Sequence, residues 1–577
     1  MGRDHLTMRE TESNSSHSIS THQISRRRML QNSAAAGVAV STAAFSPGSA
    51  LAQSVNLSSS SEVKPEEPPQ GELPFLHGVA SGDPLANSVI LWTRITPDDS
   101  AMPGSGNGEP TEVTWEIATD EGFGDIVKQG AVTTTPDSDH TIHVDPQGLE
   151  PQTVYFYRFT VADGPHEGKT SPVGRTKTAP APGAAVEQMT MAVASCANWE
   201  SGFFTAYGDM ARRGRADEFD IAVFLGDYIY EYAAGDYSGN GPVRDHHPAN
   251  EIVSLADYRT RYGRYRTDRD LQDAHAALPW VVVWDDHETA NDSWRGGAEN
   301  HQPDKEGDWL DRRNAAMQAY FEWLPVRATS PSEEGHIYRS FTFGDLVELT
   351  MMDLRTYRDE QVTWNPAKFA EEDRSLLGSE QYNWLVDKVE TSNAAWNVLG
   401  NSVMFSPMNL ITLEENPQTE SISSALSTNV TGIPLNGDQW DGYSAERKRL
   451  LTALADAGKT PLFITGDIHT EWAHTVKHEG KEIGAELVCA SITAPNINEQ
   501  LKLPENNAVS ALGQQVLLGG NPHTRHVNLD YHGYSYVRLT PNAAEMHWLR
   551  VDNILAPGTP VREAVVLTWE KGRGYTS

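Results

Sequence analysis

The sequence predicts an α/β protein: a β-sheet core layered with helices, preceded by a small N-terminal β-sandwich. Three observations predict it. Residues 73–180 break into short alternating segments separated by Gly, Pro and Asp clusters. After the linker-like "APAPGAA" (179–185), the pattern changes to runs that are apolar throughout and end in polar residues. Helical stretches lie between those runs.

Each region follows from its residues in order. "SRRRMLQ" (25–31) precedes a short Ala/Ser/Gly segment that ends in Ala50-Leu51-Ala52. A basic region, a short apolar region and a small-x-small site predict a removable signal over 1–52. Its Ser-Arg-Arg-x resembles the twin-arginine export signal, read by the twin-arginine translocase, although Met29 and Gln31 depart from the commonest residues. An ordinary secretory signal is the alternative. Export to the periplasm or the medium is expected either way, without a transmembrane anchor. The Ser/Pro/Glu-rich residues 53–72 predict a disordered lead-in. "SVILWTRI" (88–95), "EVTWEIATD" (112–120), "HTIHVD" (140–145) and "TVYFYRFTVAD" (153–163) predict the strands of a sandwich over 73–180. A second, α/β domain is expected at 188–550, and the tail 551–577 shows no clear pattern from 556 onward.

Within 188–550, "MTMAVASC", "DIAVFLGD", "WVVVWDDHE", "LVELTMMDLR", "WNVLGNSVMF" and "TPLFITGDIH" predict strands buried on both faces, with helices covering the sheet. Chemistry on such sheets sits at the carboxyl ends of strands. The reactive residues fall there: Cys196, Asp227, Asp286/His287, Asp353 and Asp467/His469. Singly, each has a structural explanation as a turn residue, a cap or a packed thiol. Together, and with Tyr230 of "GDYIY", they offer hard oxygen donors, imidazole, a thiolate and a phenolate, a set suited to trivalent iron beside an oxygen-loving divalent ion.

The order of "ASC" (194–196), "GDYIYE" (226–231), "WDDHE" (284–288) and "GDIH" (466–469) resembles the PhoD-type alkaline phosphatases, a branch of the calcineurin-like metallophosphatases. "HGVASGDP" (77–84), "ERKRLL" (446–451), "SITAP" (491–495) and "NPHTRHVN" (521–528) are similar to further segments of that family. The resemblance implies a metallophosphatase-type fold. It implies ferric iron (Fe3+) held by Cys196, Asp227, Tyr230 and His469, with Asp227 bridging to calcium (Ca2+). Asp286 and Asp467 then serve the divalent side, Asn291 is a further contact, and His287 is the catalytic group facing the leaving oxygen. Asn401 stands where many metallophosphatases carry a histidine, and His532 where an arginine is expected. Asp353 and Arg355 are open between supporting the ligands and touching phosphate. His246, His247, His474 and His523 read as solvated or structural. A Cys196–Cys489 disulfide is the competing fate of the thiol.

The implied activity is hydrolysis of small phosphate monoesters by a metal-activated hydroxide, with phosphodiesters as a further substrate class. The alternatives are a phosphodiesterase or phospholipase D-like hydrolase on the same site, and a non-catalytic surface-binding protein. A formal net charge of -34 over 577 residues disfavours nucleic acid and anionic membranes as partners. Metal cations reconcile that charge with an anionic substrate.

Overall fold

The computed structural model describes residues 73–333, 335–362, 366–412 and 432–576. The expected signal (1–52) and lead-in (53–72) lie outside the described residues. Two large sheets carry the chain. At the centre of the ten-stranded sheet, Met189–Ala194, Ile221–Leu225, Pro279–Val283 and Val79–Gly82 run parallel. At the centre of the seven-stranded sheet, Val347–Met351, Trp396–Asn401, Pro461–Thr465 and Lys481–Val488 do the same. The strands expected in 188–550 are therefore present, and their residues are buried throughout.

What covers them differs from the expectation. One apolar core holds Val193, Val223 and Val283 of the first sheet together with Leu349, Val398 and Ile464 of the second. Each sheet thus buries one face against the other sheet and only the outer face under helices. An all-apolar strand records burial on both sides but not the nature of the cover. Helices Thr205–Arg215, Leu255–Tyr265, Arg269–Ala277 and Trp309–Trp323 put Tyr207, Tyr262, Ala274 and Ala319 into that same core. Helices Gly378–Thr391 and Ser444–Asp456 pack Leu385, Val389, Leu450 and Leu454 against Leu399 and Phe463 of the second sheet. Ser254 starts one of these helices with a reciprocal capping box to Asp257, satisfying two otherwise orphaned donors.

Both ends of the described residues join the ten-stranded sheet. Val79–Gly82 pairs parallel with Pro279–Val283, and Ile90–Arg94 and Thr141–Val144 extend the sheet beyond it. A separate four-stranded sheet, from Thr111–Ala118, Ile126–Thr134, Val154–Val161 and Gly174–Lys177, packs Val113, Ile117, Tyr157 and Phe159 on Leu91 and Ile142. The expected N-terminal sandwich therefore shares one of its sheets with the α/β core. At the other edge, Val561–Glu570 and Gly574–Thr576, for which the sequence shows no clear pattern, add two antiparallel strands to the sheet. The first of them escapes a sequence reading because its exposure does not alternate, as expected of a strand near a sheet edge.

Candidate metal centre

The parallel strands of both sheets end on the same side, and their first residues beyond the sheet form the site. Cys196, Asp227, Asp467 and His469 all lie in the left-handed region, with φ of 60°, 58°, 66° and 61°. For non-glycine residues this conformation is costly, and it persists only where the surroundings enforce it. The surroundings do. Cys196 N–H donates to Gly226 O at 3.0 Å and Ala197 N–H to Asp227 O at 2.9 Å, tying two strand ends together. The buried Glu288 carboxylate accepts from the backbone N–H of Asp227, Tyr228 and Asp285 at 3.0, 2.6 and 2.9 Å. Gly226, at φ 101°, lies so close to the neighbouring loop that a Cβ would come within 2.5 Å of Asp285 Cβ.

Three donor groups converge on this scaffold. The ligand atoms of Cys196, Asp227 and His469 lie within 4.8 Å of one another, as do those of Asp227, Asp286 and His287, and those of Asp285, Asp286 and Asp467. The Tyr230 hydroxyl joins the first group, donating to Asp227 Oδ2 at 3.0 Å and lying 3.2 Å from His469 Nε2. His469 Nδ1–H donates to Pro495 O at 2.8 Å, which leaves the Nε2 lone pair for a metal. Asp227 and Asp286 each belong to two groups, so the three form one continuous centre.

The electrostatics point the same way. Burial pushes the Asp227 carboxyl well above the ordinary carboxylate range; His287 opposes the shift, while Asp286, Asp285 and Glu288 add to it. Burial likewise pushes up the Cys196 thiol and the Tyr230 phenol, each further raised by Asp227. Asp227 Oδ1 is buried and without a hydrogen-bond partner among the described residues. A thiol, a phenol and carboxylates facing one another bear their charged forms together only around a cation, and the orphaned oxygen marks where one fits.

His287 stands beside this group. Its Nδ1–H donates to Glu231 Oε2 at 2.7 Å, and Glu231 also accepts from Asn291 N–H and the Asn300 amide, each at 2.8 Å. The imidazole ring lies over Tyr230 at 4.3 Å and against Tyr232 and Tyr237. Burial works against its charge, but Asp286, Glu231 and Asp227 hold its pKa well above the ordinary imidazole value. A pocket opens here, lined by His287, Asn291, Asp467 and His469 and walled by Tyr232, Tyr237 and Ile497.

Cys196, Asp227, Tyr230, Asp286, His287, Asn291, Asp467 and His469 lie together at this centre or line its pocket. Asn401 is not part of it. Its Oδ1 accepts from the Trp440 indole at 2.9 Å, and its Nδ2 donates to Thr465 Oγ1 and Val403 O. Arg355 is buried in ion pairs, and Asp353 accepts from the Trp284 indole and the backbone of Arg355 and Thr356, so both support the loops. His532 spans Ser491 and Glu499 at 2.9 and 3.1 Å, away from the pocket. His246, His474 and His523 are held by Tyr265, Thr524 and Pro407, and His247 is exposed. Cys196 and Cys489 are free thiols, so the disulfide is absent. Sequence reasoning gave no separate role to Glu231, Glu288 or Asp438; the first two carried a signal, as the last residues of "GDYIYE" and "WDDHE".

A sandwich of two facing sheets, whose parallel strand ends bring thiol, phenol, carboxylate and imidazole to one point, defines a metallophosphatase. The chain belongs to the PhoD-like phosphatase family: the family's sequence profile matches residues 191–548, and that of its N-terminal domain matches 59–180. Alkaline phosphatase D of Bacillus subtilis (strain 168) is 38% identical over 571 residues, covering 96% of this chain and 89% of that protein. A solved structure of PhoD superposes with a TM-score of 0.76 at 37% identity, covering 88% of this chain and 93% of the other. The protein is a phosphoric ester hydrolase of the alkaline phosphatase type, and its centre is built for metal ions.

Proposed function

We propose that Cys196, Asp227, Tyr230 and His469 hold ferric iron, that Asp227, Asp286 and Asp467 hold calcium with Asn291 beside them, and that the site hydrolyses phosphate monoesters. The observation that carries this reading is the sharing of Asp227 between the thiol-phenol-imidazole group and the carboxylate group. Bound there, the cations would supply Lewis acidity toward a phosphoryl oxygen and a water made nucleophilic near neutral pH. The chain's own residues supply the rest. His287, its Nδ1–H committed to Glu231, is left with Nε2 to hold or deliver a proton to the leaving oxygen. Glu231 fixes the tautomer and the ring plane, and Tyr230 and Tyr237 pack on the ring faces. Asp227 sets the spacing of the two groups.

One observation favours phosphodiesters as well. Among the described residues lining the pocket, none is Lys or Arg. Apart from the His287 imidazole, a monoester dianion meets no cationic side chain among those residues, and a singly charged diester needs less neutralisation. Residues 1–52 are proposed as a twin-arginine signal that exports the folded chain to the periplasm or beyond, and 73–180 as an N-terminal β-domain. Among the described residues no helix is long and apolar enough to cross a membrane.

The test is hydrolysis of an aryl phosphate monoester by the purified chain before and after chelation. Activity lost on chelation and restored by calcium is expected. Activity that survives complete metal removal would overturn the proposal. Relative kcat/KM on mono- and diester substrates then sets the ester preference.

A further inference from the structure

Asp285 raises a question that the proposed centre does not answer. Its carboxylate lies within 4.8 Å of those of Asp286 and Asp467, and three converging carboxylates are what a hard divalent cation takes. Both of its oxygens are already engaged. Arg355 Nε donates to Asp285 Oδ1 at 2.6 Å and Arg355 Nη2 to Oδ2 at 3.0 Å, while Ser402 Oγ donates to Oδ1 at 2.9 Å. The same guanidinium grips Asp438 through Nη1 and Nη2 at 2.9 and 3.0 Å, and Arg358 adds a further bond to Asp438 Oδ1 at 2.9 Å. Two guanidinium groups thus face two carboxylates, all four nearly inaccessible to solvent. Asp286 Oδ1 lies 3.6 Å from Arg355 Nη2, beyond hydrogen-bond length.

We infer that the Arg355 guanidinium acts as a built-in cation that withholds Asp285 from the metal centre, so that the divalent position is built on Asp286 and Asp467. The inference rests on the metal-centre reading above. Its chemistry is that of the fork: a planar guanidinium engages both oxygens of the carboxylate, and with the Ser402 hydroxyl three of its four lone pairs are taken and its negative charge is neutralised. Unlike a metal ion, Arg355 cannot be lost by dilution or chelation, and it stays charged at every pH the protein meets. The carboxylate next to the ligand Asp286 is therefore neutralised and fixed before any metal arrives. Arg355 is a positioning residue. Its backbone N–H donates to Asp353 Oδ1 at 3.1 Å, which anchors it to the end of the Val347–Met351 strand.

Metal equivalents per chain, measured by elemental analysis after equilibration with calcium, test this. Asp285→Asn is expected to keep the wild-type iron and calcium content, and loss of a calcium equivalent in that variant would overturn the inference. Arg355→Met frees the Asp285 carboxylate and is expected to take up about one further calcium per chain, whereas Arg355→Lys, which keeps a charge but loses the fork, is expected to fall between. A folded Arg355→Met with unchanged metal content would overturn the withholding role. Should Arg355→Met not fold, the Asp285→Asn result decides. Asp227→Asn serves as the control: full metal content there would refute the reading of the centre itself, a failure separate from that of Arg355.

Discussion

Two neighbouring clusters of buried carboxylates end on opposite solutions. Around Arg355, Asp285 and Asp438 meet two guanidinium groups in bonds of 2.6 to 3.0 Å. A few ångströms away, Asp227 faces Cys196, Tyr230 and Asp286, keeps one orphaned oxygen, and sits in a strained backbone conformation. The comparison teaches how to tell a structural charge network from a functional one. Where the fold neutralises its own carboxylates, it builds stability and position. Where it leaves donors of mixed chemistry facing each other, it builds a receptor for cations.

The largest expected effect breaks the first cluster. Arg355→Met strips the buried Asp285 of its ion pair and leaves Asp438 with Arg358 alone; it is expected to lower stability by about 3–5 kcal/mol, read as a drop in the denaturant midpoint. Next, Cys196→Ser removes a donor from the second cluster. Its kcat/KM is expected to fall by more than about 100-fold, the upper end of what loss of an outer-shell partner causes, with little change in the denaturant midpoint of the metal-free chain. Smaller again, Glu231→Gln weakens the anchor of His287 and the bond from the Asn291 backbone while leaving every charged ligand in place. It is expected to cost about 10–100-fold in kcat while iron and calcium content stay at the wild-type level. Smallest of all is Asn401→Ala, which orphans the Trp440 indole N–H. A stability loss of about 1–3 kcal/mol and an unchanged metal content are expected; a loss of metal would restore Asn401 as a ligand.

The second cluster was far more legible in the sequence than the first. "GDYIY", "WDDHE" and "GDIH" are local: an apolar run and the polar residues just beyond it announce a strand end and its cargo together. Asp438 has no such announcement, because "NGDQWDG" (436–442) follows no predicted strand, and its partner Arg355 comes from 83 residues earlier. The fold shows the same division. Individual central strands of both sheets were readable from their apolar runs and polar ends. The pairing of Val79–Gly82 with Pro279–Val283, some 200 residues apart, was not, because register across such a distance leaves no local pattern. The same holds for the two sheets facing each other, since burial by a sheet and burial by a helix select the same apolar side chains.

In the proposed centre, Asp227 joins the two metal-holding groups. The most direct test of this is the iron and calcium content of the purified Asp227→Asn chain beside the wild type. The account predicts that the wild type carries both metals and that the variant loses calcium and most of its iron, with hydrolysis lost in step. Wild-type amounts of both metals in a folded Asp227→Asn chain would contradict it.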